Sequence, residues 1–459
     1  MKRLLEEFLD NLRFGARTLW NAKVFTTIAV VCLALGIGGT TAIFSVVKTV
    51  LLDPLPYPEP ERLVAVEFGP SPRSWSWSMP LVDLLAEHQT SFESVGGFRP
   101  MQYNVSTTGE AVQVPGAQVT PGFLAALAIE PVVGLCFTQD DDRTTADPVA
   151  MISYEFSERV FDHPTAALGE PLWVDGSAYT IVGVLPPGFG EIWDHADVLL
   201  PPGRLRDSFP LNHFGAQRFT VVGRLSPEST VASAQAQLSG LPTQIIERWP
   251  QIGQTGGFTI ELKPLDETMV GDSKDTLWLL MAAVVSVLLI AAANVANLLL
   301  ARANVRVRET AIRHALGASA SSMVRQHLTE GLLLGLIGGA AGLVVASWGV
   351  ELLAQEATDL LPMVGRIRLD LPVLAFTAAV SIAAAVGFSL VPAVASVRTE
   401  LTGPLKTGGA GRGARGSRTT QNWIVGGEVA LALILVVGAG LSLRTMRQLN
   451  AVNLGFQTD

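Results

Sequence analysis

The fold class that the sequence predicts is a multi-span α-helical membrane protein with one inserted extracytoplasmic α+β domain. Three observations carry it. Of 459 residues, 49% are hydrophobic and only 16% charged, whereas soluble domains carry roughly 25% charged residues. Uncharged runs recur that are long enough to cross a hydrocarbon core, which takes about 20 helical residues. Charge is also sorted along the chain. Residues 51–273 hold 28 acids against 11 bases, a net of −17, and the remainder holds 13 acids against 21 bases, a net of +8. Basic loops kept in the cytoplasm and an acidic block on the far side account for that split.

Residues 1–23 read as a basic amphipathic cytoplasmic segment. No charge occurs from Val24 to Val47, and Lys23 and Lys48 bound the run. A signal peptide has an apolar core of about 7–15 residues followed by small residues at a cut site. The uncharged run is longer, so 24–47 is read as an uncleaved first span. Four more spans are predicted at 276–301, 331–350, 371–397 and 423–443. The second has Asn294 and Asn297 as its strongly polar members, and the third is rich in glycine (Gly335, Gly338, Gly339, Gly342), which lets membrane helices approach closely. Glu428, in the fifth, is the one intramembrane acid.

The loops orient these spans. Lys2, Arg3, Arg13, Arg17 and Lys23 precede the first, Arg302, Arg306, Arg308, Arg313 and Arg325 lie in the loop 302–330, and Arg398, Lys406, Arg412, Arg415 and Arg418 lie in the linker 398–422. All three segments are therefore placed in the cytoplasm. Arg444 and Arg447, at the start of 444–459 on the predicted outer side, run against this orientation. The Gly/Arg run 408–418 reads as a flexible linker.

The block 51–273 is of ordinary domain size, and residues from about 60 to 265 are expected to fold without the spans. It opens on Asp53-Pro-Leu-Pro-Tyr-Pro-Glu-Pro, whose alternating prolines predict an extended, stiff strut. Strands are predicted at 63–68, 101–106, 111–119, 149–154, 172–174, 179–184, 219–224 and 258–262, with Asp175-Gly176 as a hairpin turn. Helices are predicted at 80–88 and 231–247, the second with Val231, Ala234, Leu238, Leu241 and Ile245 at helical spacing.

No catalytic, cofactor-binding or metal-binding residue is assigned, and no nucleic-acid partner. The sequence has no GxxxxGK[ST] phosphate loop and no HExxH, and its two cysteines, Cys32 and Cys136, form no CxxC. Asp140-Asp141-Asp142 fits a solvated loop better than a cation site. The loop 302–330 is more specific. Arg306, Glu309, Arg313 and Leu316 fall close together on a helix, Gly317 is a natural stop, and Ser319 can cap the next segment. A short helix-turn-helix at the cytoplasmic face suits docking of another protein. It equally suits an anchor on anionic lipid heads, the reading that composition alone favours.

Several segments jointly resemble a known family. They are Phe25-Thr-Thr-Ile-Ala-Val, Ala34-Leu-Gly-Ile-Gly and Leu51-Leu-Asp-Pro-Leu-Pro-Tyr-Pro, then Val119-Thr-Pro-Gly-Phe and Tyr179-Thr-Ile-Val-Gly-Val-Leu-Pro-Pro-Gly-Phe. Asn294-Val-Ala-Asn-Leu-Leu-Leu-Ala-Arg and Ala315-Leu-Gly-Ala-Ser complete the set. The chain resembles the FtsX-like permeases of the macrolide-exporter (MacB-like) ABC group, in particular the internally duplicated (ADOP-like) branch. It departs at Glu309-Thr310-Ala311, where many members read Glu-Ile-Ala. In the duplicated branch a second outer domain and three more spans follow, so the chain is expected to be a truncated half, with 444–459 opening that second domain.

The resemblance implies a MacB-like periplasmic core domain for 51–273 and a multi-pass place in the bacterial inner membrane with the N-terminus cytoplasmic. It implies a separate ABC ATPase subunit that binds the ATP, a dimer or pseudo-dimer of permease halves, and a periplasmic adaptor. It also implies mechanotransmission, in which the ATPase pushes on the loop helix bearing Arg306, Glu309, Arg313, Leu316, Gly317 and Ser319. The first two spans then carry the motion to an outer domain that handles substrate. Spans poor in acids and bases fit a substrate that does not cross through them. A membrane-anchored regulator or scaffold that controls extracytoplasmic partners without transport stays open beside it. Peptides, amphipathic drugs and lipoproteins are all open as substrates.

Overall fold

The computed structural model describes residues 13–69, 77–87, 90–107, 110–203, 218–250, 258–271, 273–305, 320–356, 367–400 and 413–450. They fall into two compact units, one built on Val50–Ser273 and one on the helices before and after it.

The first unit is built on a ten-stranded sheet: β1 (Leu63–Gly69), β2 (Phe92–Ser106), β3 (Val112–Val119), β4 (Val133–Gly134), β5 (Val149–Ile152), β6 (Pro171–Val174), β7 (Ser177–Val184), β8 (Val198–Leu200), β9 (Thr220–Leu225) and β10 (Thr259–Pro264). Their order is β10-β1-β9-β2-β3-β8-β5-β7-β4, and β6 pairs with both β2 and β7. The pairs β3–β8 and β5–β7 are parallel and the rest antiparallel. Its helices are α2 (Met79–Glu87), α3 (Pro121–Ala126), α4 (Tyr154–Phe161), α5 (Pro164–Ala167), α6 (Val231–Leu238), α7 (Leu241–Arg248) and α8 (Leu265–Val270). The helices of the other unit are α1 (Lys23–Val47), α9 (Ser273–Val305), α10 (Ala320–Glu356), α11 (Leu371–Glu400) and α12 (Gly413–Asn450).

Local chemistry explains where the structure differs from the sequence pattern. The helix expected over 231–247 is two helices, because Ser239-Gly240 turns and Pro242 can only sit in a first turn. The first of them opens on a capping box between Thr230 and Ser233. The strand expected to reach Tyr154 ends at Ile152, since the Ser153 side chain accepts the Phe156 amide (3.0 Å) and starts α4. Asp175 and Gly176 have φ of 47° and 81°, the two left-handed residues of a tight hairpin with Val174 opposite Ser177.

The core cluster that concerns function contains Phe98, Phe123 and Trp193, whose rings lie 4.7–5.4 Å apart. Both ends of the unit run into this cluster: Leu55 and Tyr57 from one side, Leu265 and Met269 of α8 from the other. The proline segment is therefore not the uniformly extended, stiff strut expected. It bends at Glu59, which has left-handed geometry, and closes in a 3₁₀ turn, Pro60–Arg62.

Among the described residues five helices are long and apolar enough to cross a membrane, over Lys23–Leu52, Lys274–Arg302, Val324–Leu353, Leu371–Leu390 and Gln421–Arg444. The last turn of the first is π-helical, Lys48–Leu52. The third begins well before residue 331, which brings Arg325 and Glu330 into it. Glu428 is thus not the only acid there; Glu330 is buried, at 6% exposure. Residues 413–418, expected in a flexible linker, are helical because extending an existing helix costs far less than nucleating one. Of the linker 398–422, residues 398–400 and 419–422 are also helical, and 401–412 lie outside the described residues.

Candidate functional site: the helix seam and its loop end

Helices α9, α10 and α11 of the membrane unit pack against α1. Of its most apolar stretch 61% is buried, and of α12's none. Glycine sets how closely its neighbours come. A β-carbon on Gly38 would fall 2.7 Å from the Gly342 carbonyl oxygen of α10, and one on Gly335 2.7 Å from the Ala385 β-carbon of α11. In hydrocarbon, close packing and interhelical hydrogen bonds hold helices together in place of the hydrophobic effect.

One stripe of α1, at helical spacing, is fastened to α11. The hydroxyls of Thr41 and Thr377 are 3.0 Å apart. Phe44 stacks on Phe376 at 3.7 Å with the rings 8° from parallel. Lys48 Nζ lies 2.8 Å from Asp370 Oδ2, while Asp370 Oδ1 accepts the Val373 amide (3.2 Å) and so caps α11. The hydrogen bond and charge of Lys48 hold the Asp370 carboxyl below the usual carboxylate range.

At the other end, residues 13–21 are helical and continue through a turn at Ala22 into α1. This segment touches both helices that bracket the loop 302–330. Arg302, at the end of α9, donates to the Thr18 carbonyl (3.0 Å), and its guanidinium sits 4.9 Å from the Phe25 ring centroid. Gly15 packs on Leu333 and Glu330 of α10, and Glu330 accepts from Gln326 Nε2 (3.4 Å). Asn297 of α9 donates to Glu428 of α12 at 3.2 Å.

The six residues singled out in the loop, Arg306, Glu309, Arg313, Leu316, Gly317 and Ser319, lie outside the described residues. Sequence reasoning counted Arg302 only as a positive charge and missed the Thr41–Thr377 pair. A threonine in an apolar run carries no signal of which helix it will face.

Other reactive groups are accounted for structurally. Cys32 and Cys136 are free thiols. Cys136 donates to the Ile129 carbonyl (3.3 Å), and burial, then nearby Glu130, push its thiol above the usual range, the reverse of an activated nucleophile. Asp140 pairs with Arg143, and Asp141 accepts from the Thr138 amide (2.7 Å), as in the solvated loop expected, but Asp142 is buried rather than solvated. Among the described residues no group of three or more His, Cys, Asp or Glu could hold a metal ion. A shallow groove of about 580 Å³ lies over Trp173, Asn104 and Asp175, but the Asp175 carboxylate is already engaged by the amide and side chain of Asn104.

Comparison with known proteins gives two family matches: a MacB-like periplasmic core domain over residues 26–241, and an FtsX-like permease C-terminal domain over 281–401. The chain is 26% identical over 277 residues to the pyoverdine export ATP-binding/permease protein PvdT of Pseudomonas savastanoi pv. phaseolicola, covering 59% of this chain and 39% of that protein. It is 24% identical over 243 residues to the uncharacterized ABC transporter permease YknZ of Bacillus subtilis, covering 52% and 58%. It is 28% identical over 225 residues to the probable export ATP-binding/permease protein MacB of Pseudomonas entomophila, covering 47% and 31%. The chain thus spans less than two thirds of the length of these relatives. Among solved structures, the extracellular domain of YknZ from Gram-positive bacteria aligns at 15% identity over 44% of this chain and 99% of that one, with a TM-score of 0.33. The periplasmic region of MacB from Actinobacillus actinomycetemcomitans aligns at 12% over 47% and 92%, with a TM-score of 0.34.

Proposed function

Because this chain is an FtsX/MacB-like ABC permease, a MacB-like periplasmic core domain followed by an FtsX-like permease domain, we propose that it is the membrane subunit of an export system driven by a separate ATPase. The ATPase closes on ATP beneath the membrane and pushes on the loop 302–330, where Arg306, Glu309, Arg313, Leu316, Gly317 and Ser319 form the docking surface. The chain lies in the bacterial inner membrane with its N-terminus in the cytoplasm and Val50–Ser273 outside. ATP stays on the partner. Two permease halves pair, and a periplasmic adaptor collects what the outer domain hands on.

One observation supports this reading above the others: both covalent connections between spans and outer unit end in a single hydrophobic cluster, at Leu55 and Tyr57 and at Leu265 and Met269. A displacement of either span end therefore acts on one close-packed body, which transmits strain because its interior has little free volume. At the cytoplasmic end, contacts of Arg302 with Thr18 and of Gly15 with Glu330 and Leu333 tie together the two helices that flank the loop.

The test is reconstitution of the full chain with a candidate ATPase in lipid discs. The expected result is nucleotide-dependent co-purification and permease-stimulated ATP hydrolysis. A partner that binds without any change in hydrolysis would instead favour a regulator or scaffold.

A further inference from the structure

A segment with proline at 54, 56, 58 and 60 has few amide hydrogens to donate, so no strand ladder can hold it. Side chains of the outer unit hold it through its carbonyls and its one aromatic ring. Leu55 is buried in the central cluster. Trp193 Nε1 donates to the Tyr57 hydroxyl (2.7 Å). The Pro58 carbonyl accepts from Arg224 Nη1 (2.8 Å), and the same guanidinium donates through Nε to the Ala126 carbonyl at the end of α3 (2.7 Å). Arg62 closes the segment by donating to the Leu225 carbonyl (2.8 Å) and pairing with Glu59 and Glu93. Glu59 has φ 46° and ψ 60°, a conformation that a non-glycine residue keeps only when its surroundings impose it.

Arg224 is the unusual member. It is 4% exposed, in the middle of the sheet on β9. It has no hydrogen-bonded carboxylate among the described residues, and its Nη2 has no hydrogen-bond partner among them. Burial, and then neighbouring Arg62, hold its pKa below arginine's usual value. A buried guanidinium with a nitrogen unsatisfied carries a desolvation cost that an apolar side chain would not. A planar fork can do what an apolar chain cannot, which is to grip carbonyls from two different segments at once.

We propose that Arg224, together with the Tyr57–Trp193 pair, is a positioning element that welds the segment 53–62 to α3 and the sheet, so that movement at the exit of the first span reaches the outer unit without being lost in a hinge. The proposal rests on the mechanotransmission reading above. Arg224 touches no substrate in this role; it acts through the backbone it holds.

The experiment uses the full chain in lipid discs with the candidate ATPase, Cys32 and Cys136 replaced by serine. Spin labels go at Asp140→Cys and Glu351→Cys, both exposed. Pulsed dipolar spectroscopy reads the interlabel distance without nucleotide and in the ATP-trapped state, alongside hydrolysis rates. The expected result is a nucleotide-dependent shift in the parent protein that shrinks at least twofold in Arg224→Gln, while stimulated hydrolysis, set at the cytoplasmic loop, is retained. An undiminished shift in Arg224→Gln overturns the weld and leaves mechanotransmission standing. No shift in the parent overturns both. If Arg224→Gln fails to give a cooperative thermal transition, Tyr57→Phe, which removes one acceptor and keeps the ring, takes its place under the same criterion.

Discussion

Where the outer unit is cut decides whether it survives alone. A fragment starting at Pro60 and ending at Leu265 loses Leu55, Tyr57 and Met269 from the central cluster, whereas one spanning 53–271 keeps them. Exposing the Leu55 site forfeits about 1.5–3 kcal/mol of apolar burial. The Tyr57–Trp193 and Pro58–Arg224 hydrogen bonds contribute about 1 kcal/mol each, and stranding a buried donor costs a further ~1–3 kcal/mol. The difference comes to roughly 4.5–8 kcal/mol, against a total of about 5–15 kcal/mol for a typical domain. With a urea slope of about 3 kcal/mol/M, the midpoint should fall by about 1.5–2.7 M. Urea titration of both fragments, followed by circular dichroism and tryptophan fluorescence, measures this directly. Midpoints agreeing within about 0.3 M at equal slope would refute the view that the proline segment belongs to the domain.

Four further outcomes are expected. Gly38→Val should lower stability in detergent by about 1–3 kcal/mol through overpacking against α10, read as an earlier thermal transition; an unchanged transition would mean that the seam is looser than described. Reversing charge at Glu309 and Arg313 together should abolish stimulated ATP hydrolysis and leave membrane insertion intact, and full stimulation would remove the loop's coupling role. The Lys48–Asp370 pair stabilises the folded state above about pH 4, because a depressed carboxyl pKa contributes above its unfolded value and is lost as pH falls through the folded one. Asp370→Asn should therefore flatten the acid limb of a thermal-midpoint profile, and an identical limb would show the pair to be inert. Cysteine-reactive probes applied to intact cells should label a site near Asp141 and miss one near Arg412, with the reverse pattern inverting the orientation.

The sequence shows apolar runs and alternating strands plainly because each is a local pattern. β6 and β10 repeat with period two, and the Asp175-Gly176 turn depends on residue types that tolerate positive φ. The first half of β2 was hidden by Gly96-Gly97, and that spacing belongs to a distant contact: a β-carbon on Gly96 would lie 2.1 Å from the Phe123 amide nitrogen of α3. β8 has three residues and α3 six, too few for a period to show. Arg224 gave no sign either. An arginine in a predicted strand reads as solvent-facing, and only the covering of β9 by α3 and the proline segment buries it. In the membrane unit, the extra turns at the start of α10 escaped because Arg325 and Glu330 look like loop charge, and only the packing of the N-terminal segment on Glu330 shows otherwise.

The π-helical turn at Lys48–Leu52 makes α1 something like a threaded rod with one loose thread. A π turn is an α turn holding one residue too many. Expelling that residue would rotate everything beyond it by about 100° and move it by about 1.5 Å along the axis. Lys48, the first residue of this turn, is the one clasped to Asp370, so the ion pair sits at the point where the helix changes from α to π winding.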